Sequence, residues 1–516
     1  MAPGVEALVA LAASREDALA ASPRIEVRSP LLLGSISLEG GRIDDITLAG
    51  YHETTEPDSP LIVLLSPQGS DRAYFTEFGW IGPDGAMPAR DTVWRADRNL
   101  LTPGQPVTLT WDNGAGLLFT RRIELDENYM FTVTRRVENR GLSAVELLPF
   151  SLINRTGTPP TLGFYILHEG LLGVFDGTLT EIDYDDLQEA EKGVETFQST
   201  GGWIGITDKY WLVALVPDQT EPFTGRFIHT LRGETDKYQV DTLRAAMTVP
   251  AGGFIETTDR VFIGAKKVSV LDHYRDEFGI VNFDLSVDFG WFYFLTKPIF
   301  YAIDYFNSWL GNFGLAILLL TVLIKLAFFP LANKSYKAMS KMKKLQPQMA
   351  ELKEKHGDDK ATMQRELMAL YKAEKVNPAA GCLPIVIQIP VFFSLYKVLF
   401  VTIEMRHAPF FGWIKDLSAP DPTSIFNLFG LIPWTPPDFL LIGAWALLMG
   451  FTMWLQQKLN PQPADRTQAK IMMMLPFVFT FILARFPAGL VIYWCWNNVL
   501  SIAQQWVIMR RMGVRI

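Results

Sequence analysis

Beyond residue 310 the chain carries five apolar stretches, at 313–331, 384–403, 439–455, 471–486 and 490–509. A helix needs about 20 consecutive, mainly apolar residues to cross a bilayer. Each stretch approaches that length, and 471–486 is the shortest. Residues before about 286 instead mix charge, Gly and short apolar runs. The whole-chain averages of 49% hydrophobic and 20% charged residues therefore describe neither half. The formal net charge of −8 is carried by the first half, which argues against nucleic-acid binding. Cys382 and Cys495 both sit in apolar surroundings, so neither a structural disulfide nor a cysteine metal site is expected. The six histidines show no ligand spacing, and no cofactor is implied.

Residues 24–280 read as an antiparallel β-sandwich. Runs at 24–28, 31–38, 107–111, 131–137 and 211–216 are rich in β-branched or aromatic residues, and several alternate apolar with polar. Gly, Asn and Asp punctuate them at Glu39-Gly40-Gly41, Asp112-Asn113-Gly114 and Glu138-Asn139-Arg140-Gly141. Many short strands without helical periods between them suggest two packed sheets. The acidic run 181–191 reads as a solvated loop or short helix. Residues 281–310 differ again, with ten aromatics between Phe289 and Trp309. Asp288, Lys297, Pro298 and Asp304 interrupt them, so an amphipathic helix at the membrane surface fits better than a span. The simpler account is a core helix of the sandwich.

Between the first two stretches, 333–375 holds 11 Lys/Arg against 6 Asp/Glu. Met339, Met342, Leu345, Met349 and Leu352 recur at helical spacing, as do Met363, Leu367 and Leu370 after a break at His356-Gly357-Asp358-Asp359. The pattern is a helical hairpin with one narrow apolar seam. Its positive charge, which includes Lys341, Lys343, Lys344, Lys353 and Lys355, puts it in the cytoplasm. Lys458, Arg466 and Lys470, then Arg510, Arg511 and Arg515, alternate correctly for the same side. The β-domain then lies on the other side. Residues 5–13 make a poor signal peptide, so a transmembrane helix ahead of residue 1 is expected, with 1–23 as its linker.

Polar residues collect at one depth of this apolar half. Lys325 lies about six residues, or roughly 9 Å, from the cytoplasmic end of its stretch, with Thr321 one turn earlier. Gln388 is at nearly the same depth. Ser501, Gln504 and Gln505 lie in the last turns of the fifth stretch, and Asn497 and Asn498 somewhat deeper. A charge in hydrocarbon costs about 2.5–3.5 kcal/mol on insertion scales, so it usually faces a cavity or a partner. No acidic residue shares the depth of Lys325, which leaves water or a visiting group. The alternative is a lysine snorkelling to the interface. For Gln388 the alternative is a plain helix–helix hydrogen bond, and Lys397 near the outer end is expected to snorkel.

Four further segments carry a resemblance: ALYKAEKVNP at 369–378, Gly381-Cys382 with Pro384 and Gln388-Ile389-Pro390, IKDLSAP at 414–420, and FPAGLVIY at 486–493. In these the chain resembles the YidC insertases. The resemblance implies an α+β multi-domain membrane protein of the bacterial inner membrane. It would have a periplasmic β-sandwich at 24–280, an interfacial helix at 281–310 and a five-helix core at 311–516 with the hairpin 333–375. It further implies a hydrophilic groove open to the cytoplasm and to lipid. There Lys325 draws in the polar tail of a nascent membrane protein, and Thr321 and Trp494 line the substrate path. The Sec translocon and the ribosome are implied partners. The chain carries Lys at 325 where many relatives carry Arg, and Trp at 494 where Tyr is expected. A tail ending at Ile516 would leave ribosome contact to the hairpin and short loops. Two other functional classes fit the sequence less well. A solute conduit needs polar residues through the full span, whereas 314–320 and 391–393 are apolar. A membrane-anchored enzyme needs a catalytic constellation, and Asp185-Asp186 reads as surface.

Overall fold

A computed structural model describes residues 14–163, 167–356, 359–377, 383–434, 436–437, 440–460 and 466–513. The chain divides into two compact units, Met1–Asp288 and Phe289–Ile516.

In the first unit, alternation of apolar and polar residues builds two sheets. One runs from Val194–Thr200 through Pro222–Arg232, Thr235–Arg244, Val145–Thr156, Tyr74–Ile81, Ile43–His52, Leu32–Ser37 and Arg24–Arg28 to Leu100–Leu101. The other runs from Thr178–Asp183 through Gly170–Phe175, Gly202–Thr207, Trp211–Val216, Phe254–Ala265, Met130–Asn139, Leu117–Leu125 and Val107–Asp112 to Arg95–Ala96. Among the described strands every pairing is antiparallel except that of Arg24–Arg28 with Leu100–Leu101. The sheets face each other across an interior that includes Trp203, Phe78, Phe119, Phe131, Phe227 and Phe262, and Arg155 of one reaches Asp208 of the other at 2.7 Å.

Among the described residues three α-helices accompany the sheets: α1 (Arg15–Ala20), α2 (Tyr184–Glu189) and α3 (Val268–Phe278). Helix α2 falls in the acidic run, with Asp185 and Asp186 exposed. Helix α3 corrects the reading of 24–280 as β throughout. Val268, Leu271 and Tyr274 fall at helical spacing and are buried, and Tyr274 donates to Asp126 while accepting from the Tyr129 amide. Residues 5–13 lie outside the described residues. The stretch 14–23, read as linker, holds α1, whose Arg15 pairs with Asp45. The boundary expected at 281 moves, because Phe283–Ser286 is a 3-10 turn of the first unit.

The second unit is helical: α4 (Tyr293–Leu310), α5 (Phe313–Ala327), α6 (Phe329–His356), α7 (Lys360–Ala373), α8 (Leu383–Val401), α9 (Ala444–Leu459), α10 (Arg466–Leu483) and α11 (Ala488–Arg511). Helix α4 buries Thr296, Ile299, Phe300 and Ile303 and exposes Phe294, Tyr301, Tyr305 and Trp309. Such an aromatic outer face suits a headgroup region. Helix α5 stops at Ala327, four residues short of the expected end, and α6 leaves it at 69°. Pro330 explains the break, since it has no N–H to bond the carbonyl four residues back but fits the first turn of a new helix. Lys325 therefore stands in the last turn of α5.

Helix α9 begins at Ala444 rather than 439. Asp421 Oδ2 accepts from the Trp445 amide at 3.0 Å and Thr423 Oγ1 from the Ala444 amide at 3.0 Å, capping the helix from a distant loop. The loop carrying IKDLSAP does the same for α11. Carbonyls of Ala419 and Leu417 accept from the amides of Ala488 (2.7 Å) and Gly489 (3.0 Å). A Cβ on Gly489 would stand 2.9 Å from Leu399 Cδ2 and 3.1 Å from Leu417 O, so glycine permits this approach.

The hairpin α6–α7 closes on Leu345, Tyr371 and Val376 with Met342, Met349 and Leu367 around them. Asp359 caps α7, accepting from the Ala361 and Thr362 amides at 3.1 Å. Gly357 and Asp358 of the expected break, Gly381-Cys382 and Arg515 lie outside the described residues. Helix α10 exposes Ile471, Met472, Met473, Met474, Leu475, Phe477, Val478, Phe481 and Ile482. Among the described residues no single helix is long and apolar enough to cross a membrane by itself, whereas α5 and α6 pass that test as a bent pair.

Candidate functional site

Helices α5, α8 and α11 bring polar groups together. Lys325 Nζ donates to Ser501 Oγ at 2.8 Å, and Ser501 Oγ donates to the Asn497 carbonyl at 2.8 Å. Among the described residues no carboxylate lies within ion-pair distance of Lys325. Its side chain lines a small cavity of about 40 Å³ with Ile324, Phe328, Tyr336, Gln388 and Val391. Gln388 Nε2 donates to the Tyr493 hydroxyl, so the glutamine is a helix–helix tie between α8 and α11 as well as a cavity wall.

Helix α11 carries polar atoms that find no protein partner, on the face of Asn497 and Gln504 and, at Gln505 Oε1, on the face beside it. Asn497 Oδ1 and Gln504 Nε2 are buried without a hydrogen bond, and Ser335 Oγ and Ser340 Oγ of α6 and Ser394 Oγ of α8 share that condition. Buried polar atoms of this kind call for water or another polar guest.

The structure separates the other expected site residues from this cluster. Asn498 Nδ2 donates to Thr452 Oγ1 at 3.1 Å and Gln505 Nε2 to Asn460 Oδ1 at 3.1 Å, so both turn toward α9. Thr321 is buried and returns its hydroxyl to the Ile317 carbonyl at 2.7 Å. Trp494 packs in an aromatic group, with its ring 4.7 Å from that of Phe392 and 6.1 Å from that of Phe479. On the hairpin, Lys341, Lys344 and Lys355 are exposed and Lys343 half-buried, while the Lys353 side chain lies outside the described residues. Lys344 Nζ donates to the Met512 carbonyl at 2.8 Å. Sequence reading missed Tyr336, Tyr493, Thr452 and Asn460 as partners. The residue types were visible, but their facing was not.

Residues 24–302 match the family described as the YidC periplasmic domain, and residues 305–514 match the family described as the 60Kd inner membrane protein. The membrane protein insertase YidC of Methylobacterium nodulans is 54% identical over 98% of this chain and 85% of its own length. That of Agrobacterium fabrum is 52% identical, over 98% of this chain and 84% of its own. The chain belongs to the YidC family of membrane protein insertases. It is thereby an inner-membrane protein rather than a member of an enzyme family. A crystal structure of an active YidC insertase is also similar, covering 94% of this chain and 92% of its own at 18% identity and a TM-score of 0.38. In this YidC-family chain the IKDLSAP and FPAGLVIY segments are tied to each other through the Ala419–Ala488 and Leu417–Gly489 backbone bonds.

Proposed function

We propose that this chain inserts nascent membrane proteins by way of a hydrophilic groove walled by α5, α8 and α11, with Lys325 as its attracting charge. The observation that carries this reading is the ammonium of Lys325 at the end of an apolar helix, held by a neutral hydroxyl and flanked by buried polar atoms without partners. A wet groove lowers the cost of taking a polar segment part-way across the bilayer. The apolar helix that follows gains bilayer burial as its driving force. The reading puts five helices across the membrane, α5 with α8, α9, α10 and α11. The hairpin and the C-terminus are then cytoplasmic and the β-unit periplasmic. It opens the groove to the cytoplasm. The opposite end is closed by the 408–420 loop, where Ala408, Ile414 and Leu417 pack with Ala488 and Ile492. That closure argues against a solute conduit. The Sec translocon and the ribosome are partners in the same reading, with the exposed lysines of the hairpin as the surface offered to the ribosome.

A photoreactive residue at Phe328 or Ile387, which line the cavity, is expected to crosslink a stalled nascent membrane protein. The same residue at Trp413, exposed in the opposite loop, is expected not to. Adducts at Trp413 alone would overturn the groove. Cysteine labelling of Lys343→Cys from the cytoplasmic side alone tests the orientation.

A further inference from the structure

The β-unit contains an interior that is electrostatically incomplete. In Leu117–Leu125 the inward residues are Leu117, Phe119, Arg121, Ile123 and Leu125, and in Met130–Asn139 they include Phe131, Val133, Arg135 and Val137. One arginine thus interrupts each apolar face. Arg121 and Arg135 are cross-strand partners, and each is nearly inaccessible, at 4% and 1% exposure. Like charges directly opposite on a sheet repel, and a buried cation normally needs a counter-charge.

The carboxylates nearby are already engaged. Arg42 Nε meets Glu77 at 3.1 Å, and Asp259 is shared by Arg135 and Arg244. Arg121 has no carboxylate within ion-pair distance among the described residues. It is held by backbone carbonyls instead, those of Gly41 at 2.5 Å, Gly40 at 3.3 Å and Phe78. Gly40 and Gly41 take φ of +70° and +63°, and a Cβ on Gly41 would stand 2.5 Å from Arg121 Nη1. The chain therefore keeps a glycine turn there so that carbonyl oxygens can approach the guanidinium. Burial still pushes the Arg121 pKa down to about 9.

These groups surround a cavity of about 160 Å³ between the sheets, lined by Arg121, Arg135, Trp94, Trp80, Phe78 and Glu77 among others. Three donors on its wall have no acceptor: Arg121 Nε, Arg135 Nε and Trp94 Nε1. The Arg121 guanidinium lies over the Trp94 ring at 4.7 Å. We propose that this cavity is a binding site for a small organic carboxylate, with Arg121 and the Trp94 indole as its principal donors. A carboxylate supplies acceptors only, which is what unpaired N–H groups require, and its planar form matches a guanidinium edge. It also supplies the counter-charge that Arg121 lacks. The volume exceeds what one water needs several-fold, and the aromatic walls suit a short carbon skeleton.

The test is isothermal titration calorimetry of the full chain in detergent, in carboxylate-free buffer, with sodium malonate as the probe and sodium sulfate at equal ionic strength as the control. Saturable malonate binding at one site is expected, with sulfate at least tenfold weaker. Trp94→Phe keeps an aromatic wall, though a smaller one, and deletes the indole N–H donor, so its affinity for malonate is expected to fall about tenfold. Arg121→Gln is expected to abolish binding, and if that variant does not fold, Trp94→Phe decides alone. Absence of saturable binding, equal binding of sulfate, or wild-type affinity in Trp94→Phe would overturn the site.

Discussion

Lys325 Nζ and Ser501 Oγ lie 2.8 Å apart, joining α5 to α11 through a cation and a neutral hydroxyl. A serine orients the ammonium without cancelling its charge, so in the proposed groove the field of Lys325 would stay available to an incoming carboxylate. Ser501→Asp would cancel it. At an effective dielectric of about 20, a charge pair at 4 Å is worth about 4 kcal/mol before desolvation. Losing even about 1.4 kcal/mol of that attraction is a factor of ten. Insertion of substrates with acidic tails is therefore expected to fall about tenfold in Ser501→Asp and in Lys325→Ala. Matched neutral tails should fall much less, and Lys325→Arg and Ser501→Ala should remain close to wild type. Insertion yield across a tail-charge series measures this. Equal losses for all tails would assign Lys325 to anchoring at the interface instead.

The Gln388–Tyr493 bond makes a second, structural demand. Tyr493 is buried, and its hydroxyl is the acceptor for the Gln388 amide. Tyr493→Phe keeps the ring and strands that donor. The expected cost is about 0.6–3 kcal/mol, which spans interhelical hydrogen bonds in membranes and buried donors left unpaired. Unfolding of the purified protein in mixed micelles reads it, and Gln388→Leu in the Tyr493→Phe background should recover part of the loss. No change in Tyr493→Phe would mean that water already serves Gln388.

In the β-unit, Lys266 is buried with its Nζ donating to Thr207 Oγ1 at 2.9 Å. Burial pushes its pKa down to about 8, against the pull of Asp208, Asp288, Glu169 and Glu181. In the unfolded chain it titrates near about 10.4. At pH 7 both states hold the proton, and the cost of the buried charge is present in full. Between about pH 8 and 10.4 the unfolded chain still holds a proton that the folded one has released, so stability rises with pH there. Lys266→Met removes this titration. The variant's stability relative to wild type is expected to fall by about 3 kcal/mol from pH 7 to pH 10.5. Denaturant unfolding at the two pH values checks it, and a constant difference would refute it.

Much of this fold can be read directly, because a sheet face repeats every two residues. Residues 117–125 and 130–139 alternate so regularly that the inward arginines are visible in the sequence. The break after α5 was missed, because the apolar run continues to Leu331, although Pro330 inside it is the local signal. Helix α3 was obscured by its place at the end of a β-domain, although Val268, Leu271 and Tyr274 keep helical spacing. The site was legible in depth but not in direction. Counting residues along a helix gives height, whereas each residue also turns by about 100°. Asn497, Ser501 and Gln504 therefore share one face of α11, and Asn498 and Gln505 share the next, toward α9. Partners such as Ser501 for Lys325, or Asp421 for the start of α9, are tertiary facts with no local signal.

The hairpin supplies the last prediction. The first half of α6 is anchored to the core: Tyr336 lines the Lys325 cavity, Ser340 is buried, and Lys344 bonds the Met512 carbonyl at the end of α11. Beyond Leu345 the helix is held, through Met349, by Leu367 and Tyr371 of α7 and by Val376 just after it, in a seam whose buried members are Leu345, Tyr371 and Val376. Few buried apolar contacts mean a low local opening free energy. Amide hydrogen exchange is therefore expected to be slow in 332–345, fast in 348–356 and 362–373, and slowest in α11. Leu345→Asp places a charge in the seam, at a cost of several kcal/mol if it stays buried. It should speed exchange in 348–356 and 362–373 further, toward the rate of an unfolded chain, while leaving α11 unchanged. Insertion should then fall with the loss of hairpin structure, as it should on deleting 335–373. Uniform protection along α6, or normal insertion by the deletion, would show that the distal hairpin is neither separately stable nor needed.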